Sequence, residues 1–215
     1  MPASCCRPDY DALFDDRAAR RELAAYRRKG PTGTSKRLIQ AIGDAGIEGA
    51  TVLDVGGGVG VVGVELLDAG ALALTDVDAS GPYLAAARSE AQRRGFGSRA
   101  TFLHGDFVEL ASSVKPADVV TLDRVVCCYD DWRALIDAAV SRSRRLIALA
   151  YPADRWWLRI GVGAIRSAGR LFGRALPFHV HPERSIDERI REAGFAVVYR
   201  RRGLTWQTAV YERIP

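Results

Sequence analysis

The sequence predicts an α/β protein built on a doubly wound, mostly parallel sheet of seven strands that ends in an antiparallel hairpin. Three observations lead there. Strand and helix patterns alternate through most of the 215 residues, which is how parallel strands with helices on both faces read. A glycine-rich stretch, Asp54-Val55-Gly56-Gly57-Gly58-Val59-Gly60, joins the first strand pattern to a helix. The last two strand patterns lie too close together for another crossover helix and therefore predict a hairpin.

The elements follow in order. Asp11 to Arg28 predicts a charged helix that stops at Lys29-Gly30-Pro31. Thr51 to Val55 is a buried strand, and a helix opens at Val61 after the glycines. The apolar run Ala71 to Val77 ends in Asp78, and a helix over Tyr83 to Arg94 follows. A third strand, Ala100 to His104, runs into Gly105-Asp106-Phe107. Ala117 to Leu122 is a strand, Trp132 to Ser141 a helix and Leu146 to Tyr151 a strand. Beyond an insertion come a helix over Ile186 to Ala193 and two strands, Phe195 to Arg200 and Leu204 to Tyr211, separated at Gly203.

Length and composition narrow the possibilities. A chain of 215 residues fits one sizeable core, so one domain is expected. The charge of +5 is carried mainly by arginine. The clusters Arg142 to Arg145 and Arg200 to Arg202 read as solvated surface, and no aromatic-interleaved basic motif argues for nucleic acid. No apolar leader precedes a cleavage-like site, so a cytoplasmic protein is expected. In that compartment the four cysteines, Cys5, Cys6, Cys127 and Cys128, would be reduced thiols. Their spacing matches no zinc site.

The glycine stretch carries the chemistry. Glycines after a strand let the backbone approach a ligand closely, and the unpaired N–H groups of the next helix face it. Gly58-Val59-Gly60-Val61-Val62-Gly63 also satisfies the dinucleotide pattern, so a nicotinamide cofactor competes at this point. Asp54 weighs against that rival: a carboxylate before the loop repels a pyrophosphate but can meet the ammonium of an amino-acid-like cofactor. Asp78 can accept from two ribose hydroxyls, Asp106 from an adenine amine, and Phe107 can flank the ring. The plainer alternatives are that Asp78 caps the next helix and that Phe107 belongs to the core.

The string Asp-x-Gly-x-Gly-x-Gly, then Val77-Asp78-Ala79-Ser80, then Gly105-Asp106-Phe107, resembles the class I S-adenosylmethionine-dependent methyltransferases from about Thr51 onward. The resemblance implies a Rossmann-like methyltransferase sheet with S-adenosylmethionine as cofactor. Asp54, Gly56, Gly58 and Gly60 would hold the methionine end, Asp78 the ribose and Asp106 the adenine. Ala79 and Phe107 would line the adenine slot, and Asp123 would join this set from the end of the fourth strand. The chain then divides into N-terminal lid helices (1–49), a cofactor-binding core (50–151), a helical cap insertion (152–184) and a C-terminal helix with its hairpin (185–215).

Substrate clues come from three segments. In the N-terminal helix, Tyr26 either touches the methionine moiety or packs the lid onto the sheet. The stretch Asp123-Arg124-Val125-Val126-Cys127-Cys128-Tyr129 ends on the rim used for substrates in the resembled enzymes. Its two thiols either pack as small apolar groups or join Cys5 and Cys6 to hold a soft, thiophilic species. In the insertion, Arg155, Arg159, Arg166, Arg170 and Arg174 form one basic stripe on a helix rich in Trp156, Trp157, Leu158, Ile160 and Ile165. Such a helix covers a substrate, lies on a membrane surface or is simply solvated; a membrane span is ruled out by its arginines.

Cys127, Cys128, Tyr129, His179 and His181 are the candidate catalytic residues, the last three as proton acceptors for a hydroxyl substrate. The insertion, with Tyr151-Pro152 and Gly169-Arg170-Leu171-Phe172, is similar to the magnesium-protoporphyrin methyltransferase subgroup, from which Cys127-Cys128 departs. The expectation is therefore a methyltransferase for a small molecule, with an anionic carboxylate acceptor favoured by the arginines. The rivals are an NAD(P)-dependent oxidoreductase, a methyltransferase for a thiophilic or lipidic acceptor, and a non-catalytic cofactor-binding module.

Overall fold

In a computed structural model, residues 10–171 and 178–215 are described. Two helices open the described chain, α1 (Tyr10–Leu13) and α2 (Asp16–Lys29), where the sequence predicts one; Asp15 accepts a hydrogen bond from the Ala18 N–H and so starts a new helix. A further helix, α3 (Gly33–Asp44), buries Leu38, Ala41 and Ile42 at helical spacing.

From there the alternation predicted by the sequence is observed: β1 (Thr51–Val55), α4 (Val61–Asp68), β2 (Ala73–Asp78), α5 (Gly81–Arg93), β3 (Ala100–His104), α6 (Phe107–Leu110), β4 (Ala117–Asp123), α7 (Trp132–Arg142) and β5 (Ser143–Pro152). The chain finishes with α8 (Trp156–Leu171), α9 (Glu183–Glu192) and the hairpin β6 (Phe195–Arg202) and β7 (Trp206–Arg213).

The sheet order is β3-β2-β1-β4-β5-β7-β6. Strands β1 to β5 pair in parallel, and β7 is inserted antiparallel between β5 and β6. Alternate residues feed two cores. Leu53, Val55, Leu122 and Ile147 pack on the side of α7 and α9, while Val52, Leu74, Val119 and Ala148 pack with Leu38 and Leu66 on the side of α3 and α4.

Parallel pairing puts the C-terminal ends of β1, β2, β3 and β4 on one rim. The chain winds outward in opposite directions from β1 and β4, and the crevice between them is where open α/β sheets take ligands.

Candidate active site

Backbone conformation shapes the glycine loop. Gly56 and Gly58 both have φ of +61° and Gly60 has +81° as it caps α4. A Cβ at Gly56 would stand 2.5 Å from a Val125 methyl, so the position excludes any side chain on two grounds. The loop is then held by acids beneath it. Asp78 accepts from the Gly58 N–H at 2.9 Å and from the Ser80 N–H at 2.8 Å. Asp54, only 1% exposed, accepts from the Gly63 N–H at 3.1 Å and from the Thr121 hydroxyl.

Burial first, then the Asp123 charge, drives the Asp54 pKa up to about 7, with the Thr121 hydrogen bond opposing. Burial likewise raises that of Asp78.

A cavity of about 210 Å³ lies along this rim, walled by Gly56, Gly58, Asp78, Ala79, Asp106, Phe107 and Asp123 among others. Asp106 caps α6, accepting from the Val108 N–H, and both its oxygens accept from the Tyr129 hydroxyl at 2.8 Å. Phe107 is 4% exposed and serves core and cavity wall together. Asp123 accepts from the Ser35 hydroxyl with one oxygen, while its other oxygen is buried with no hydrogen-bond partner.

The N-terminal helices close one side. Tyr10 donates to the Cys128 carbonyl at 3.1 Å, Ser80 to the Phe14 carbonyl at 2.8 Å, and Tyr83 to Glu22 at 2.9 Å, so Tyr10, Phe14 and Glu22 reach the cavity wall.

Comparison with known proteins agrees with this geometry. A family model described as a methyltransferase domain matches residues 52–146. The matched segment is a methyltransferase domain. A curated relative, magnesium-protoporphyrin O-methyltransferase from Synechocystis sp., is 27% identical over 179 residues, which are 80% of this chain and 74% of the relative.

Among solved structures, magnesium protoporphyrin IX methyltransferase from Synechocystis with bound S-adenosylhomocysteine is similar at a TM-score of 0.71 and 21% identity, covering 96% of this chain and 100% of the other. An O-methyltransferase family protein from Burkholderia thailandensis is similar at 0.72 and 21% identity, covering 95% and 63%.

The residues around the loop fit S-adenosylmethionine: an orphaned buried carboxylate oxygen on Asp123, a Gly56 that admits no side chain, and Asp78 and Asp106 lining one cavity. Several expectations need correction. Tyr26 does not line the cavity beside the glycine loop. It is 8% exposed, donates to Glu65 and accepts from Arg94, packing α2 onto α4 and α5. Asp54 lies under the loop amides and, with Gly56, Gly58 and Asp123, lines a small cavity of about 40 Å³. Asp123 adds an unpartnered buried oxygen there.

The histidines are absorbed by the fold. His179 accepts from Arg166 at 3.0 Å and stands 3.1 Å from Asp130, while His181 donates to the Tyr129 carbonyl at 3.0 Å. Neither lines the cavity beside the glycine loop. The Tyr129 hydroxyl is engaged by Asp106 and is poorly disposed to act as a base. Cys128 lines the cavity and Cys127 is buried behind it.

The basic stripe is not an open cradle: Arg159 pairs with Asp154 at 2.6 Å and Arg166 with His179. Cys5, Cys6 and Arg174 lie outside the described residues.

Two features were missed. Asp76 is fully buried under Gly57 with neither oxygen hydrogen-bonded, and its pKa is raised well above the usual range by burial and then by Asp54. Its only signal was an acid at an inward position of a strand. The other is a second cavity, about 600 Å³, formed by Lys29, Thr34, Ser35, Arg37, Arg124 and the β6–β7 turn with Trp206. Glu22 and Arg124, 3.5 Å apart, line both cavities.

Proposed function

We propose that this methyltransferase acts on a small molecule carrying an anionic group, with an oxygen as the accepting atom. The observation that carries the reading is the second cavity. Lys29, Arg37 and Arg124 surround it, the N-terminal turn of α3 with the Thr34 and Ser35 hydroxyls opens onto it, and it adjoins the cofactor cavity through Glu22 and Arg124. Cations and a helix N-terminus favour a carboxylate there. The relative's name, magnesium-protoporphyrin O-methyltransferase, accords with an oxygen acceptor.

In this reading Asp123 accepts from the ammonium end of the cofactor with its unpartnered oxygen, Asp78 from the ribose and Asp106 from the adenine amine, with Ala79 and Phe107 along the ring. Asp54 and Gly60 act through the loop. S-adenosylmethionine, when bound, supplies an electrophilic methyl on a sulfonium, so the protein has mainly to align the acceptor and exclude water. Among the described residues no histidine lines either cavity.

Release of S-adenosylhomocysteine, measured across small carboxylic acids including magnesium-protoporphyrin and across neutral hydroxyl compounds, tests the reading. Turnover is expected on carboxylates. Replacing Lys29 and Arg37 together by glutamine should raise the acceptor KM about tenfold, the loss of roughly 1.4 kcal/mol of charge-assisted binding, with cofactor affinity unchanged. Equal turnover on neutral acceptors, or a KM untouched by both substitutions, would overturn it.

A further inference from the structure

Adjacent side chains usually diverge, yet Cys127 and Cys128 converge. They sit in a single 3₁₀ turn, Val126–Cys128, entered through Arg124, a non-glycine residue at φ +63°. That turn aims both sulfurs at one acceptor. Cys127 Sγ lies 3.2 Å and Cys128 Sγ 3.8 Å from the Arg124 carbonyl oxygen, and the sulfurs are 3.7 Å from each other. Two sulfurs each about 2.3 Å from one shared centre cannot stand more than about 4.6 Å apart, so the pair is within reach of a single soft centre with only a small adjustment.

Access is one-sided. Cys127 is 1% exposed, whereas Cys128 forms part of the cofactor cavity wall together with Asp78, Asp106 and Tyr129. A reagent must therefore enter through that cavity and reach Cys128 first. Cys128 is also the readier nucleophile: the hydrogen bond from Cys127 and the nearby Arg124 charge hold its pKa below the usual thiol value against burial, while Cys127 is held above it. Among the described residues no three His, Cys, Asp or Glu side chains could share a metal ion. Two sulfurs alone suit a centre that brings its own third substituent.

We propose that Cys127 and Cys128 form a vicinal dithiol site for trivalent organic arsenicals and chemically similar thiophilic metalloids, and that its occupation excludes the cofactor. With an arsine oxide, both S–H bonds break, two S–As bonds form, and the oxygen leaves with the two protons as water. Arsenic stays trivalent and no oxidant is required. The bound organic group then projects into a cavity of about 210 Å³, the space in which Asp78 and Asp106 would meet the cofactor.

The test uses the full chain with Cys5→Ser and Cys6→Ser, so that only this pair is titrated, and phenylarsine oxide as the probe. One equivalent is expected to bind and to remove both remaining thiols from thiol titration. A dithiol should reverse it where a monothiol does not. S-adenosylhomocysteine affinity, followed by calorimetry, should fall at least about tenfold when the site is filled.

Cys128→Ser, checked for folding by circular dichroism, should lose the dithiol-selective capture, as should Cys127→Ser. Survival of both titratable thiols at excess probe, or full capture by the folded Cys128→Ser protein, overturns the site. Capture with unchanged S-adenosylhomocysteine affinity overturns the exclusion. None of these readouts depends on which acceptor is methylated.

Discussion

Around the glycine loop, buried acids hold the backbone N–H groups of Gly58, Gly63 and Ser80, whereas α8 turns Trp156, 74% exposed, Ile160, 64%, and Ile165, 57%, toward solvent. The loop belongs to a packed sheet whose strands share their register across β1, β2 and β4. The cap is tied down through a few side chains, chiefly Arg159 to Asp154 and Arg166 to His179. The two regions therefore answer differently to substitution. Changes at the rim act on the cofactor through a structure that cannot give way, and changes on α8 leave the core nearly untouched.

The sharpest test is Asp78→Ala. It removes the ribose acceptor of the proposed site and the clamp on Gly58 together, so S-adenosylhomocysteine binding by calorimetry should weaken by about 1.5–3 kcal/mol. An unchanged affinity in a folded protein would break the comparison at its stronger end.

Asp76→Asn probes the same region from below. A carboxyl whose folded-state pKa is raised favours folding below its unfolded value of about 4, and that advantage is lost as pH rises through the folded value. Asp54 passes through about 7, and Asp76 is raised for the same reason, burial. Asp76→Asn should therefore raise the thermal midpoint by a few degrees at about pH 8 and by little near pH 5, with about 2–4 °C expected per kcal/mol in a chain of this size. A lowered midpoint at the higher pH would show that the buried carboxylate is held by something it needs.

His181 titrates in the opposite sense. Burial, then His179, lowers its pKa to about 4, so the stability it lends is complete above about 6.5 and is lost as pH falls toward 4. Amide exchange in the segment around Tyr129 should speed up over that interval in the native protein. His181→Asn should flatten the dependence.

The smallest effect belongs to the cap. Trp156→Ala should change stability by no more than about 0.5 kcal/mol. If α8 lies on membranes, the same variant loses association with anionic vesicles in sedimentation; equal sedimentation of native and variant protein removes that role. Among the described residues no helix is long and apolar enough to cross a membrane.

Local pattern made much of this protein legible. Apolar runs ending in Asp78, Asp106 and Asp123 marked three strand ends, and parallel pairing obliged them to share a rim. Glycine spacing marked the turn between β1 and α4, because only glycine accepts its left-handed backbone beside Val125. The C-terminal hairpin followed from the short separation of two strand patterns.

Residues whose meaning depends on partners far along the chain were not legible. Asp76 looks like an ordinary strand acid until register sets it beside Asp54 between two packed layers. Tyr26 and Glu65 are 39 positions apart, and nothing local tells the tyrosine to turn toward α4 rather than the cavity. His179 and His181 read as bases until Arg166, Asp130 and the Tyr129 carbonyl occupy them. The second cavity draws on α2, α3 and the β6–β7 turn, which meet only because β7 inserts beside β5. Sequence by itself determined the period of each element and the residue type at its end, since these rest on short-range sterics and burial. Which side chains face one another was decided by the tertiary structure alone, because register and layer packing are settled by contacts between segments and not within them.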